Sequence, residues 1–189
     1  MQEQNIDMIC VQGIEAGGHR GTFINHISLP QVGLFSLIGQ VVKALKLPCI
    51  AAGGINSAQS IKAAFDLGAV AVQIGTAFMG TEESEAIPAY KDLLKKASDT
   101  DTVLTRAFSG RWARGFANEL MNEIEKSGIN IPPYPIQNSL IAKLRKLAQQ
   151  KNDCEYTTLW AGQSAGSIAL KETGEVFKDL VKQYEALYS

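Results

Sequence analysis

Long apolar runs are missing from this sequence: no stretch approaches the roughly 20 residues that a membrane-spanning helix requires. The opening residues, MQEQNIDMIC, lack a basic segment followed by an apolar one, so no signal peptide is expected. Neither sign of charge dominates. Eighteen Lys and Arg stand against nineteen Asp and Glu, for a net charge of −1, and no basic run is interleaved with aromatics. That balance argues against nucleic acid and anionic membrane surfaces as partners. Cysteine is scarce. Cys10, Cys49 and Cys154 stand apart, odd in number and with no CxxC pair, so they form no disulfide framework. A reducing cytoplasm is the expected compartment, with Cys10 and Cys49 as buried strand residues. Histidine is scarcer still, His19 and His26 only. No His, Cys, Asp and Glu cluster has metal-ligand spacing, and no metal is expected. What is present is a hydrophobic share of 46% in 189 residues, enough for one domain with a sizeable core, with or without a small appendage.

The first two-fifths alternate short apolar runs with helical patterns. Ile6 to Gln12 is apolar and bounded by glycine, as a strand buried on both faces would be. Leu34, Leu37, Ile38, Val41, Val42 and Leu45 recur at helical spacing. Pro48 to Ala52 predicts a second strand, and Ala69 to Ile74 a third. Between them Ser57 predicts an N-cap for a helix carrying Ile61, Ala64, Phe65 and Leu67, and another helix is expected over about 84–97. This order means parallel βα units, whose ligands bind at the carboxyl ends of the strands. A barrel and a doubly wound sheet fit it equally well. Beyond Thr102 no clear buried strand is visible. Helices are expected at 118–126, 139–150 and 174–187, with IPPYPIQ at 131–137 as a proline-stiffened connector. The expected division is 1–98 for the βα units, 99–167 for a helical substrate-side subdomain, and 168–189 for a helix returning to the units.

Three loops carry the candidate chemistry. Gln12 to Gly21, QGIEAGGHRG, lets a ligand approach backbone N–H groups. His19 sits within it, a poor place for a core residue, and imidazole is the side chain best suited to move a proton near neutral pH. A solvated turn histidine is the competing reading. His26 has no such context. The loops at Gly53–Gly54 and Gly75–Thr76 each lead into a helix. Two such turns on consecutive units can form a phosphate site, although a Gly-Gly pair often just ends a strand. Arg106, Arg111 and Arg114 read more as carbonyl-capping or solvated groups than as anion ligands. Trp160 reads more as a core anchor than as a stacking platform. Glu15 is open as a second acid–base group, and Tyr134 as a wall of the substrate pocket or a packing residue.

QGIEAGGHRG, PCIAAGGI and GAVAVQIGTAF resemble the last three strand loops of the nitronate monooxygenases, formerly 2-nitropropane dioxygenases. TRAFSGRWARG, PPYPIQNSL and LWAGQSAG resemble that family's downstream segments, so the similarity covers almost the whole chain. The resemblance implies the C-terminal part of an FMN-binding (β/α)8 TIM-type barrel, strands six to eight, plus a helical subdomain. It implies that Gln12, Gly17 and Gly18 line the flavin, that Gly54, Gln73, Ile74, Gly75 and Thr76 hold its phosphate, and that His19 is the catalytic histidine. It also implies oxidation of alkyl nitronates or nitroalkanes by oxygen with release of nitrite.

A complete barrel takes about 250 residues. Strands one to five are not in this sequence, and the contacts they would supply are missing with them. The expectations are therefore association with an N-terminal half-barrel or with itself, and uncertain activity for the chain alone. Two other readings remain: an FMN-dependent enoyl-ACP reductase, against which TRAFSGR and PPYPIQN argue, and an inactive truncated remnant.

Overall fold

The computed structural model describes residues 5–22 and 28–189; His26 lies outside them. Strand β1 (Ile9–Gln12) runs into the glycine loop, whose far side forms a two-residue strand, β2 (Gly18–His19). Helix α1 (Leu34–Ala44), β3 (Cys49–Ala52), α2 (Ala58–Asp66) and β4 (Ala71–Gln73) complete the βα units. The three longer strands form a parallel sheet in the order β1-β3-β4, with Gln12, Ala52 and Gln73 in one row across it.

Side chains alternate between the two faces of a strand, and here the faces differ sharply. One packs Val11, Cys49 and Ala51 against Leu34 and Ile38 of α1 and Ile61 and Ala64 of α2. The other carries Cys10, Gln12 and Gln73, and Cys10 is exposed. The Cys10 thiol donates to Gln73 Oε1 at 3.3 Å. Cys10 is thus not the buried strand residue expected, because among the described residues the helices cover the other face; Cys49 is buried as expected.

Two helix starts have identifiable causes. Ser57 caps α2 through a capping box with Ser60. The N-terminus of α1 has no local side-chain cap; instead both Glu15 carboxylate oxygens accept the Leu34 N–H, at 2.9 and 3.0 Å. Glu15 therefore holds the glycine loop to α1, favoured by the positive end of the helix dipole.

Helix α3 (Pro88–Lys96) leads to the main departure from the sequence reading. Residues 99–167 are not simply helical. Strands β5 (Thr102–Thr105) and β6 (Ala113–Phe116) pair antiparallel, and β6 pairs in turn with β2, giving a second sheet in the order β2-β6-β5. Strand β6, ARGF, is buried at all four positions, so it shows no alternation, and its arginine reads as solvated. In the fold Arg114 is buried: Nε donates to the Ile14 carbonyl at 2.8 Å and Nη1 to the Thr102 carbonyl at 2.8 Å. Helices α4 (Glu119–Lys126), α5 (Ile136–Leu140), α6 (Ala142–Gln150) and α7 (Thr173–Glu185) follow. The helix expected over 139–150 begins earlier and is split at Ile141. Helix α7 returns to α2, where Tyr184 meets Phe65 edge-on at 5.7 Å.

Candidate active site

The glycine loop is held shut by its own first residue. Gln12 Nε2 donates to the His19 carbonyl at 3.1 Å, while its Oε1 accepts the Gly21 N–H at 2.9 Å. Arg20, also buried, turns back to donate to the Gly13 carbonyl at 2.8 Å and the Gln12 carbonyl at 3.1 Å. These bonds fix where His19 projects.

At the carboxyl ends of β1, β3 and β4 lies an open cleft of about 260 Å³. Gln12, Gly17, Gly18, Gly54, Gln73, Gly75 and Thr76 all line it. Ile74 does not: its side chain packs into the core between sheet and helices. Gly53 and Gly54 have φ of +115° and +69°, which only glycine adopts without strain, and so turn the chain sharply at the cleft. Gly75 has no such constraint, and a Cβ there would meet nothing within 4 Å.

Sequence reasoning passed over the opposite wall of the cleft, which comes from residues 160–164. Gly162 N–H donates to Thr76 Oγ1 at 3.0 Å, and Gln163 N–H to the Glu15 carbonyl at 3.0 Å. The approach is close enough that a Cβ at Gly17 would lie 2.6 Å from the Ala161 and Gly162 backbone. Residues 162–166, GQSAG, match the G-x-S-x-G of a nucleophile elbow in letters only, since no strand leads into the serine. The signal that could have found this wall was the run of small residues after Trp160.

Trp160 lines the cleft and also stands 5.3 Å from the His19 ring, with Phe108 edge-on behind it at 5.4 Å. It is both core anchor and wall. Tyr134 faces the His19 ring at 6.3 Å, and the Arg111 guanidinium lies 5.7 Å from the Tyr134 ring centre. Arg111 is tied down through the Thr22 carbonyl at 2.8 Å, and Arg106 bonds the Gly110 carbonyl at 3.2 Å, so the arginines do cap carbonyls. The connector carrying Tyr134 rests on Gly110, where any Cβ would strike the backbone of Pro132, Pro133 and Tyr134. His19 Nε2 lies 2.7 Å from the hydroxyl of Ser109, a buried residue that sequence reasoning did not single out. Burial, and then the Arg111 charge, push the His19 pKa below its ordinary value of 6.5. Both causes favour the neutral imidazole, the form able to accept a proton.

Residues 1–184 match the family model described as nitronate monooxygenase. The chain belongs to the nitronate monooxygenase family. Among curated members, a probable nitronate monooxygenase of Staphylococcus aureus (strain JH9) is 40% identical over 183 residues, covering 96% of this chain and 52% of the relative. One of Staphylococcus haemolyticus is 40% identical over 188 residues, covering 98% and 53%. The chain thus spans about half the length of the nitronate monooxygenases it matches. Among solved structures, nitroalkane oxidase from Streptomyces ansochromogenes aligns at TM-score 0.87 and 35% identity, covering 98% of this chain and 53% of that one. FabK from Thermotoga maritima aligns at 0.80 and 32%, covering 99% and 57%. The fold is accordingly part of the TIM-type barrel that these nitronate monooxygenase-like enzymes form, and the family and its neighbours are oxidoreductases.

Proposed function

We propose that this chain carries the phosphate cradle and the proton-handling wall of an FMN-dependent oxidase of alkyl nitronates, with propionate 3-nitronate as the type of substrate. The observation that carries the reading is the meeting, across Trp160, of a glycine-built cleft and a histidine whose ring is held by the Ser109 hydroxyl.

The cleft fits the cofactor's polar end. Gly53 and Gly54 expose backbone, Gly75 leaves space open, and the Thr76 hydroxyl, which accepts from Gly162, retains a proton to donate to a phosphate oxygen. Its volume is below the roughly 300–1,000 Å³ of pockets that enclose a whole ligand, which suits a phosphate and its tether better than an entire flavin. Bound there, FMN would supply the acceptor for two substrate electrons and their route to oxygen, with nitrite released. The chain's own part is to orient and to move a proton. Tyr134 and Trp160 wall the space beside His19. His19 takes the α-proton of a neutral nitroalkane, and the Arg111 charge favours the nitronate that forms.

FMN titrated into the chain, followed by its visible spectrum, tests the cradle. The reaction is tested by fusing the chain behind the N-terminal remainder of the Staphylococcus aureus relative and measuring oxygen uptake with propionate 3-nitronate. NAD(P)H consumption on an enoyl thioester without nitronate turnover would install the enoyl-ACP reductase reading instead. Absence of flavin binding in both forms would leave a truncated remnant.

A further inference from the structure

We propose that Ser109 is a positioning residue that holds His19 in the tautomer protonated on Nε2, leaving Nδ1 as the proton acceptor.

The inference rests on hydrogen-bond accounting at one buried hydroxyl. Ser109 Oγ has three neighbours: His19 Nε2 at 2.7 Å, the Arg111 N–H at 3.3 Å and the Arg111 carbonyl oxygen at 3.3 Å. A serine hydroxyl offers one proton and two lone pairs. With the proton directed to the Arg111 carbonyl, the lone pairs accept from the Arg111 N–H and from His19 Nε2–H. Every contact then joins a donor to an acceptor. With the proton turned toward Nε2, the hydroxyl oxygen and the Arg111 carbonyl oxygen face each other as two acceptors. Ser109 is only 1% exposed, so water does not repair that mismatch. The groups packed on His19 from other elements, Tyr134 and Trp160, present aromatic rings, and Arg111 presents its charge.

The catalytic consequence rests on the proposed reading of His19 as a base. The substrate C–H proton passes to Nδ1, and the bonding pair stays on the substrate as the nitronate. The imidazolium formed already has its Nε2–H on Ser109, so no ring rotation or second proton transfer is needed. The role of Ser109 follows from the Arg111 backbone on either side of its hydroxyl.

The test reads the histidine itself and needs no turnover. The chain holds two histidines, so long-range ¹H–¹⁵N spectra of the ¹⁵N-labelled protein contain two ring patterns, assigned by His26→Asn. At neutral pH His19 is expected to show a pyrrole-type Nε2 and a pyridine-type Nδ1. Ser109→Ala should move both resonances toward the average of mixed tautomers, while Ser109→Thr, which keeps the hydroxyl, should restore the pattern. A pyridine-type Nε2 in the unsubstituted chain overturns the proposal, and so does an unchanged pattern in Ser109→Ala. The unsubstituted spectrum decides even if the variants fail to fold. The expected pattern without nitroalkane turnover would remove the reaction and leave the tautomer assignment standing; turnover with the opposite pattern would do the reverse.

Discussion

The Arg111 guanidinium beside His19 pushes the imidazole toward its neutral form, the form that can take a proton. His19→Asn in a complete, active form should therefore cut turnover of neutral nitroalkanes by roughly 100-fold or more, the usual scale of acid–base catalysis. Pre-formed nitronate needs no proton removal and should suffer less; equal loss on both substrates would remove the base assignment. The sign of the pH dependence follows from the lowered pKa. The base form persists above that pKa, so the acid limb of kcat/KM for a nitroalkane should fall below pH 6.5, the ordinary value. Arg111→Gln should move the limb upward but not fully back, since burial is the larger cause, and Arg111→Lys should leave it nearly in place. A limb indifferent to Arg111→Gln would show that the charge does not act on His19. At this scale His19 and the cleft glycines were legible, because glycine turns at strand ends are local signals. Ser109 was not. It meets His19 across ninety residues of sequence, and nothing adjacent to a serine announces such a contact.

The elements divide along the same line. The parallel βα units could be read because apolar runs, caps and glycines repeat on a short period, and Ser57 caps α2 as its position suggests. Strands β5 and β6 could not, because their stability is tertiary: Arg114 ties β6 to the Ile14 carbonyl of the glycine loop as well as to Thr102 of β5, and the Phe116 N–H donates to the Leu159 carbonyl at 2.9 Å. The division matters for the two glycine turns. Gly54 sits at positive φ with its Cβ position against Glu15, so substitution there strains the fold as well as the cleft. Gly75 has ordinary φ and open space around it. Gly75→Val should consequently leave the melting temperature of the ligand-free protein nearly unchanged while raising the FMN dissociation constant at least ~10-fold, the loss of about 1.4 kcal/mol. An unchanged dissociation constant would count against the phosphate site.

On the scale of the whole molecule, the parallel sheet is unfinished. Among the described residues β1 and β4 each have one strand neighbour, and the face carrying Cys10 and Gln73 has no helix over it. Beside β4, on the helix-covered side of the sheet, lies a groove of about 420 Å³ lined by Phe65, Val72, Phe78 and Phe177. Phe35 and Leu140 are 74% and 66% exposed. Backbone groups shielded from water without partners cost about 1–3 kcal/mol each, so such edges favour pairing. Size exclusion with light scattering should find residues 1–189 associated rather than monomeric, binding FMN weakly and taking up no oxygen with propionate 3-nitronate. A monodisperse monomer with a bound flavin spectrum and steady oxygen uptake would overturn this. One further consequence concerns synthesis. The cleft's far wall, residues 160–164, seats on Gly17 and Thr76, so the pieces of one cleft lie far apart in sequence. During translation the glycine loop emerges well before that partner and waits for it, since its contact with residues 160–164 is among the most non-local in the fold. A nascent chain halted near residue 150 would lack Trp160 beside His19 as well as the wall at 162–164, so the order of manufacture leaves the cleft one-sided until that segment arrives.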